Sequence, residues 1–116
     1  MENNIRVAQF ADGSINEVEM EIEGEPESVI IFRDGEGVRA WLNVCPHAGR
    51  RLDYAPGEFL RTPGGLLMCA VHGATFSLTD GQCVGGPCVG AHLRALRVEA
   101  NADGTVLIAA GADPSA

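Results

Sequence analysis

The chain has 116 residues, of which 46% are hydrophobic and 21% charged. That is enough for one domain with its own core, but not for a catalytic domain joined to a carrier domain. Sixteen acidic residues against 8 basic ones give a formal charge of -8, which repels phosphate backbones and anionic lipid headgroups, so nucleic acid and membrane surfaces are excluded as partners. The start, Met1-Glu2-Asn3-Asn4, is polar and no apolar run reaches membrane-spanning length, so a soluble, cytoplasmic protein is expected.

With 15 glycines, 6 prolines and only 5% aromatic residues, short strands and turns are favoured over long helices. Four Asp-Gly dipeptides, beginning at Asp12, Asp34, Asp80 and Asp103, mark tight turns or hairpins. In chain order, Ile5 to Phe10 reads as a first strand. Val18 to Glu23 alternates apolar and acidic residues, the period of a half-buried strand with a carboxylate face. Ser28 to Arg33 and Val38 to Leu42 form a hairpin across Asp34-Gly35-Glu36-Gly37, with Trp41 in the core. Asn43 to Leu78, irregular in composition, reads as an insertion of small hairpins and loops. Leu93 to Val98 and Thr105 to Ala109 close the sheet as a last hairpin around Asp103-Gly104. The tail from Gly111 is expected to fray. No repeat, low-complexity segment or linker divides the chain, so residues 1–116 read as a single domain.

The insertion carries the chemistry. Cys45-Pro46-His47 and Cys69-Ala70-Val71-His72 each place one thiolate and one imidazole at loop spacing. Structural zinc fingers keep cysteines and histidines in separate pairs, whereas here each half holds one of each. Two such loops suit a two-iron centre, with Cys45 and Cys69 on one iron and His47 and His72 on the other. Two thiolates leave an oxidised [2Fe-2S] core about neutral, where four would leave it about two units negative, so the mixed set takes up an electron more easily. A bound imidazole keeps a second ring nitrogen, whose affinity for a proton rises on reduction. The competing reading of the same four residues is a zinc site in a non-redox interaction module.

At these motifs the chain resembles the Rieske ferredoxin family. Asn43-Val44-Cys45-Pro46-His47-Ala48-Gly49 with Leu52 is similar to the family's first cluster loop, and Cys69 to Phe76 to its second. Thr79-Asp80-Gly81, Gly86-Pro87 and Leu93 are similar to the strand and proline loop that cover the cluster. The resemblance implies an all-β, antiparallel β-sandwich with a small cluster-binding subdomain of hairpin loops at approximately residues 43–90, one [2Fe-2S] cluster, and Cys45, His47, Cys69 and His72 as its ligands. It also implies a one-electron carrier without substrate turnover of its own and with no catalytic residue. As a monomer, the carrier would pass electrons from a flavin reductase to an oxygenase or other acceptor. The alternative is the small Rieske subunit of a nitrite-reductase-like oxidoreductase. Where respiratory members carry a disulfide between the cluster loops, this chain has Arg50 and Val71. Ala74 replaces a serine that donates to a cluster sulfur, which implies a potential in the lower part of the Rieske range. Ala70 stands where the second loop more often has proline.

Cys83 and Cys88 read as small buried hydrophobes, with a disulfide or redox role as the other possibility. His92 has no partner at ligand spacing and reads as a surface or packing residue. The acidic stretch Glu17 to Glu27 steers a basic partner or protects a sheet edge. Arg50 and Arg51 solvate their loop or meet a docking partner.

Overall fold

The computed structural model describes residues 3–46, 49–71 and 73–110. The chain forms two compact units, one of Met1–Leu42 and Ala95–Ala116, the other of Asn43–Arg94. Every strand pairing is antiparallel, and the one helical element among the described residues is a single 3-10 turn.

In the first unit, β1 (Asn3–Arg6), β9 (Arg97–Ala100) and β10 (Thr105–Ala109) form one sheet in the order β1-β10-β9. A second sheet orders β2 (Ile15–Ile22), β3 (Glu25–Asp34) and β4 (Gly37–Leu42) in sequence. Met20, Ile22, Val29, Ile31, Val38, Ala40 and Leu42 from one sheet join Val106 and Ile108 from the other in one buried cluster. This is the sandwich core, built from the inward positions of period-two strands. Ile30 and Trp41 oppose each other across β3 and β4 on the other face of that sheet and are also buried.

Several boundaries differ from the sequence reading, three of them for a visible reason. Ile5 to Phe10 is not one strand: β1 ends at Arg6 because its partner ends with Thr105, and the Val7 N–H donates instead to Gly104 O at the β9–β10 turn. Residues Val7–Gln9 then make the 3-10 turn, closed by Phe10 N–H on Val7 O, which tucks Val7 and Phe10 into the core. Glu23 is no strand residue. It and Gly24 have φ of 53° and 80° and form a two-residue hairpin turn between Ile22 and Glu25, a place that favours residues tolerant of the left-handed region. Leu93 does not begin the last hairpin, because its N–H is held by Gly81 O inside the second unit and β9 starts at Arg97.

The carboxylate face of β2 is as the alternation predicts, with Glu19 and Glu21 exposed and Met20 and Ile22 buried. This strand is an edge of its sheet, where charged side chains oppose pairing with other chains. The expected fraying from Gly111 concerns residues outside those described.

Among its described residues, the second unit holds four very short strands in sequence order, β5 (Leu60–Arg61), β6 (Leu67–Met68), β7 (Thr75–Phe76) and β8 (Cys83–Gly85). It extends past Leu78 because β8 pairs with β7. Leu52, Leu67, Ala74 and Phe76 are fully buried within it. The rest is loop, and the loops carry the cysteines.

Candidate metal centre

Cys45 and Cys69 are held by the same backbone device. The Cys45 N–H donates to Arg50 O at 2.7 Å and the Gly49 N–H to Cys45 O at 2.8 Å; the Cys69 N–H donates to Ala74 O at 2.7 Å and the Gly73 N–H to Cys69 O at 3.0 Å. Each loop therefore closes with the same two hydrogen bonds, five and four residues beyond its cysteine. The closure passes through a glycine in the left-handed region, at φ 66° for Gly49 and 74° for Gly73. Cys45 and Cys69 thus sit under the same closure. Their thiols are buried, at 0% and 1% exposure.

His47 and His72, the expected imidazole ligands, lie outside the described residues. Each belongs to one of the two turns by sequence, two residues after Cys45 and three after Cys69.

The loops are tied together and supported from below. The Ala70 N–H of the second loop donates to Leu52 O beside the first, at 3.2 Å. Leu52 N–H in turn donates to the side-chain oxygen of Asn43 at 2.9 Å, and Asn43 Nδ2 donates to Asp53 Oδ1 at 3.2 Å. Asp53 also accepts from Arg51 through Nε at 3.0 Å and Nη2 at 2.7 Å, and from the Gly57 N–H at 3.1 Å. Burial alone pushes the Asp53 carboxyl up, but the hydrogen bonds from Arg51, Gly57 and Asn43 outweigh it and hold the group below the usual carboxylate range. Arg51 thus does more than solvate its loop. It is one arm of a bidentate ion pair whose carboxylate is 1% exposed.

Asn43 and Asp53 were not among the sequence candidates. Their signal is faint: two Asx residues flanking the first cysteine loop, the second in an Arg-x-Asp pattern. Ala70 departs from the family's common proline, and here its N–H is the donor that proline would lack.

Cys83 is 1% exposed and Cys88 half-buried, and no disulfide joins any of the four cysteines among the described residues. Burial, then neighbouring Cys83, then Cys45 and Cys69, push the Cys88 thiol up to about 12. Cys83, Cys45 and Cys69 therefore all lie within electrostatic reach of Cys88. His92 is exposed, as a surface residue.

Two buried thiols on matched turns in one small unit fit the sulfur end of a two-iron cluster, and the soft donor set suits iron-sulfur chemistry.

Comparison with known proteins agrees. The sequence model of the Rieske [2Fe-2S] domain matches residues 4–100. Among solved structures, the ferredoxin of carbazole 1,9a-dioxygenase from Nocardioides aromaticivorans IC177 superposes with a TM-score of 0.70 at 24% identity, over 95% of this chain and 98% of that one. The terminal oxygenase of the same system gives 0.69 at 26% identity over 93% of this chain. The corresponding oxygenase from Novosphingobium sp. KA1 gives 0.72 at 22% over 95% of it. In both oxygenases the match spans only 29% of their own length. No curated protein sequence matches the chain. With its antiparallel sheets and twin cysteine loops accounted for, the chain belongs to the Rieske [2Fe-2S] domain family, whose cofactor is a [2Fe-2S] cluster.

Proposed function

We propose that Cys45 and Cys69 give thiolates, and His47 and His72 imidazoles, to the [2Fe-2S] cluster. The protein then acts as a ferredoxin carrying single electrons from a flavin reductase to an oxygenase. The observation that supports this reading is the pair of buried cysteines under matching hydrogen-bond closures, each followed in sequence by a histidine. What the chain shares with the carbazole dioxygenase ferredoxin is nearly the whole of that protein, and with the oxygenases less than a third of theirs. The full extent of the match to a ferredoxin supports the carrier reading.

When bound, the cluster supplies a one-electron reservoir. The chain's part is to hold it and to present it. The twin turns fix where the two thiols lie, and the Asp53, Asn43 and Leu52 chain holds the first loop against the second. Val44, Val71, Val84 and Val89 are exposed, each within two residues of a cysteine. Such an apolar fringe suits brief docking of a partner redox protein, with a small interface that releases readily. Residues 1–116 act as one Rieske domain, with the cluster held by approximately residues 43–90. The working form is a soluble cytoplasmic monomer; no helix among the described residues is long and apolar enough to cross a membrane.

Metal analysis and coulometry test the proposal together. The purified protein should contain two irons and two acid-labile sulfides per chain and take up one electron. Alanine in place of any of Cys45, His47, Cys69 or His72 should abolish the assembled cluster. Zinc without sulfide, or four dispensable residues, contradicts the ligand assignment. Persistent co-purification with a large enzyme chain contradicts the free carrier.

A further inference from the structure

Cys83 and Cys88 face each other across a loop that the proposed ligand set does not use. Cys83 opens β8, and the chain returns through Gly85, Gly86 and Pro87. Three backbone hydrogen bonds fold it back: Cys83 N–H to Ala91 O at 2.8 Å, Gly90 N–H to Cys83 O at 3.2 Å, and Ala91 N–H to Cys88 O at 2.9 Å. At the near end the loop backbone is pressed on its neighbour, since a Cβ on Gly86 would lie 2.8 Å from Ala74 Cα and one on Gly85 would lie 2.5 Å from Thr75 Oγ1. That end has little room to slide. The Cys88 thiol points at Cys83 with the sulfurs 2.8 Å apart, and Cys83 Sγ is 3.2 Å from Gly85 O. A bonded pair needs about 2.05 Å, so the two sulfurs stand less than about 1 Å from bonding distance.

We propose that Cys83 and Cys88 are a redox-active dithiol that closes to a disulfide within this loop when a peroxide is the oxidant. The site lies outside the proposed cluster ligands and does not depend on the electron-carrier reading.

The exposures set the order of events. Cys88 is half-buried and Cys83 fully buried, so the peroxide meets Cys88 first. The O–O bond breaks, one oxygen stays on Cys88 as a sulfenic acid, and the other leaves as water. Cys83 Sγ then attacks that sulfur. The S–S bond forms, the S–O bond breaks, and the departing hydroxyl takes the Cys83 proton as a second water. Two thiols and one peroxide thus give one disulfide and two waters, and a dithiol reductant reverses the change by exchange. Because burial and Cys83 keep the Cys88 thiol protonated at neutral pH, the first step is slow.

The test uses the holoprotein with hydrogen peroxide as probe, followed by denaturation in iodoacetamide and intact mass measurement. Reduced protein should take four adducts, oxidised protein two, and dithiothreitol should restore four. The tryptic peptide spanning residues 62–94 should lose its backbone fragments between Cys83 and Cys88 on oxidation and regain them on reduction. This reading needs no variant. Cys88→Ser should keep all three of its remaining thiols alkylatable after the same treatment. Four adducts after oxidation, an unbroken fragment series between Cys83 and Cys88, or loss of two thiols in Cys88→Ser would each overturn the proposal.

Discussion

Replacing Asp53 by asparagine keeps the shape of the side chain and removes its charge, at the point where the first cysteine loop is anchored. The carboxylate accepts four hydrogen bonds: from Arg51 Nε and Asn43 on Oδ1, and from Arg51 Nη2 and Gly57 N–H on Oδ2. An asparagine amide accepts at one oxygen only, so its NH2 meets two donors. The Arg51 side chain is 43% exposed and turns to water at little cost. The part-buried Gly57 N–H has no such escape and loses about 1 kcal/mol, while the bonds that remain fall from charge-assisted to neutral strength, about another 1 kcal/mol. The sum is about 2–3 kcal/mol, a drop of roughly 10 °C in the thermal midpoint for a domain of this size. Scanning calorimetry of parent and Asp53→Asn at one scan rate measures it. The pH dependence adds a sign. Since the folded carboxyl lies below its ordinary value of 3.8, its contribution is complete above that value and is lost as pH falls through the depressed one. The gap between the two proteins should be constant from neutral to mildly acid pH and close below about pH 4. Asp103, held low by the Thr105 hydroxyl and N–H, is common to both and cancels. A variant melting within about 2 °C of the parent, or a gap that widens in acid, refutes the anchoring role.

Gly86→Ala should destabilise by about 2–4 kcal/mol, because a left-handed backbone and a collision with Ala74 act together; chemical denaturation that finds less than 1 kcal/mol contradicts the close approach. Ala70→Pro should cost about 1–2 kcal/mol by orphaning Leu52 O, and an unchanged thermal midpoint means the loops are not tied there. The midpoint potential should fall with rising pH, by up to about 59 mV per unit once one proton accompanies the electron. A flat voltammetric profile into alkaline pH contradicts imidazole ligation.

The hairpins at Asp34-Gly35 and Asp103-Gly104 were legible because turn chemistry is local, and so was the half-buried alternation of Met20 and Ile22. Strand ends were less so. Ile5 to Phe10 carries a uniform strand signal, yet its partner stops at Thr105, and no window around Ile5 encodes where a strand about a hundred residues away will end. Glu23 occupies a turn position that composition assigns elsewhere, and only the pairing of Ile22 with Glu25 forces it there. At the site, the cysteine–histidine pairs stand out by spacing and residue type. The Asp53 hub does not, since its partners Asn43, Arg51 and Gly57 mark the residue only when the loop closes. The approach of Cys83 to Cys88 likewise depends on the return of the chain through two glycines and a proline.

Pulsed EPR of the anaerobically reduced protein, grown with natural and with 15N-labelled histidine, addresses the ligand set most directly. Two histidine nitrogens coupled to the cluster spin, changing with the label and disappearing in both His47→Ala and His72→Ala, are the predicted result. A reduced protein with no cluster spectrum, or with one that the label leaves unchanged, contradicts it.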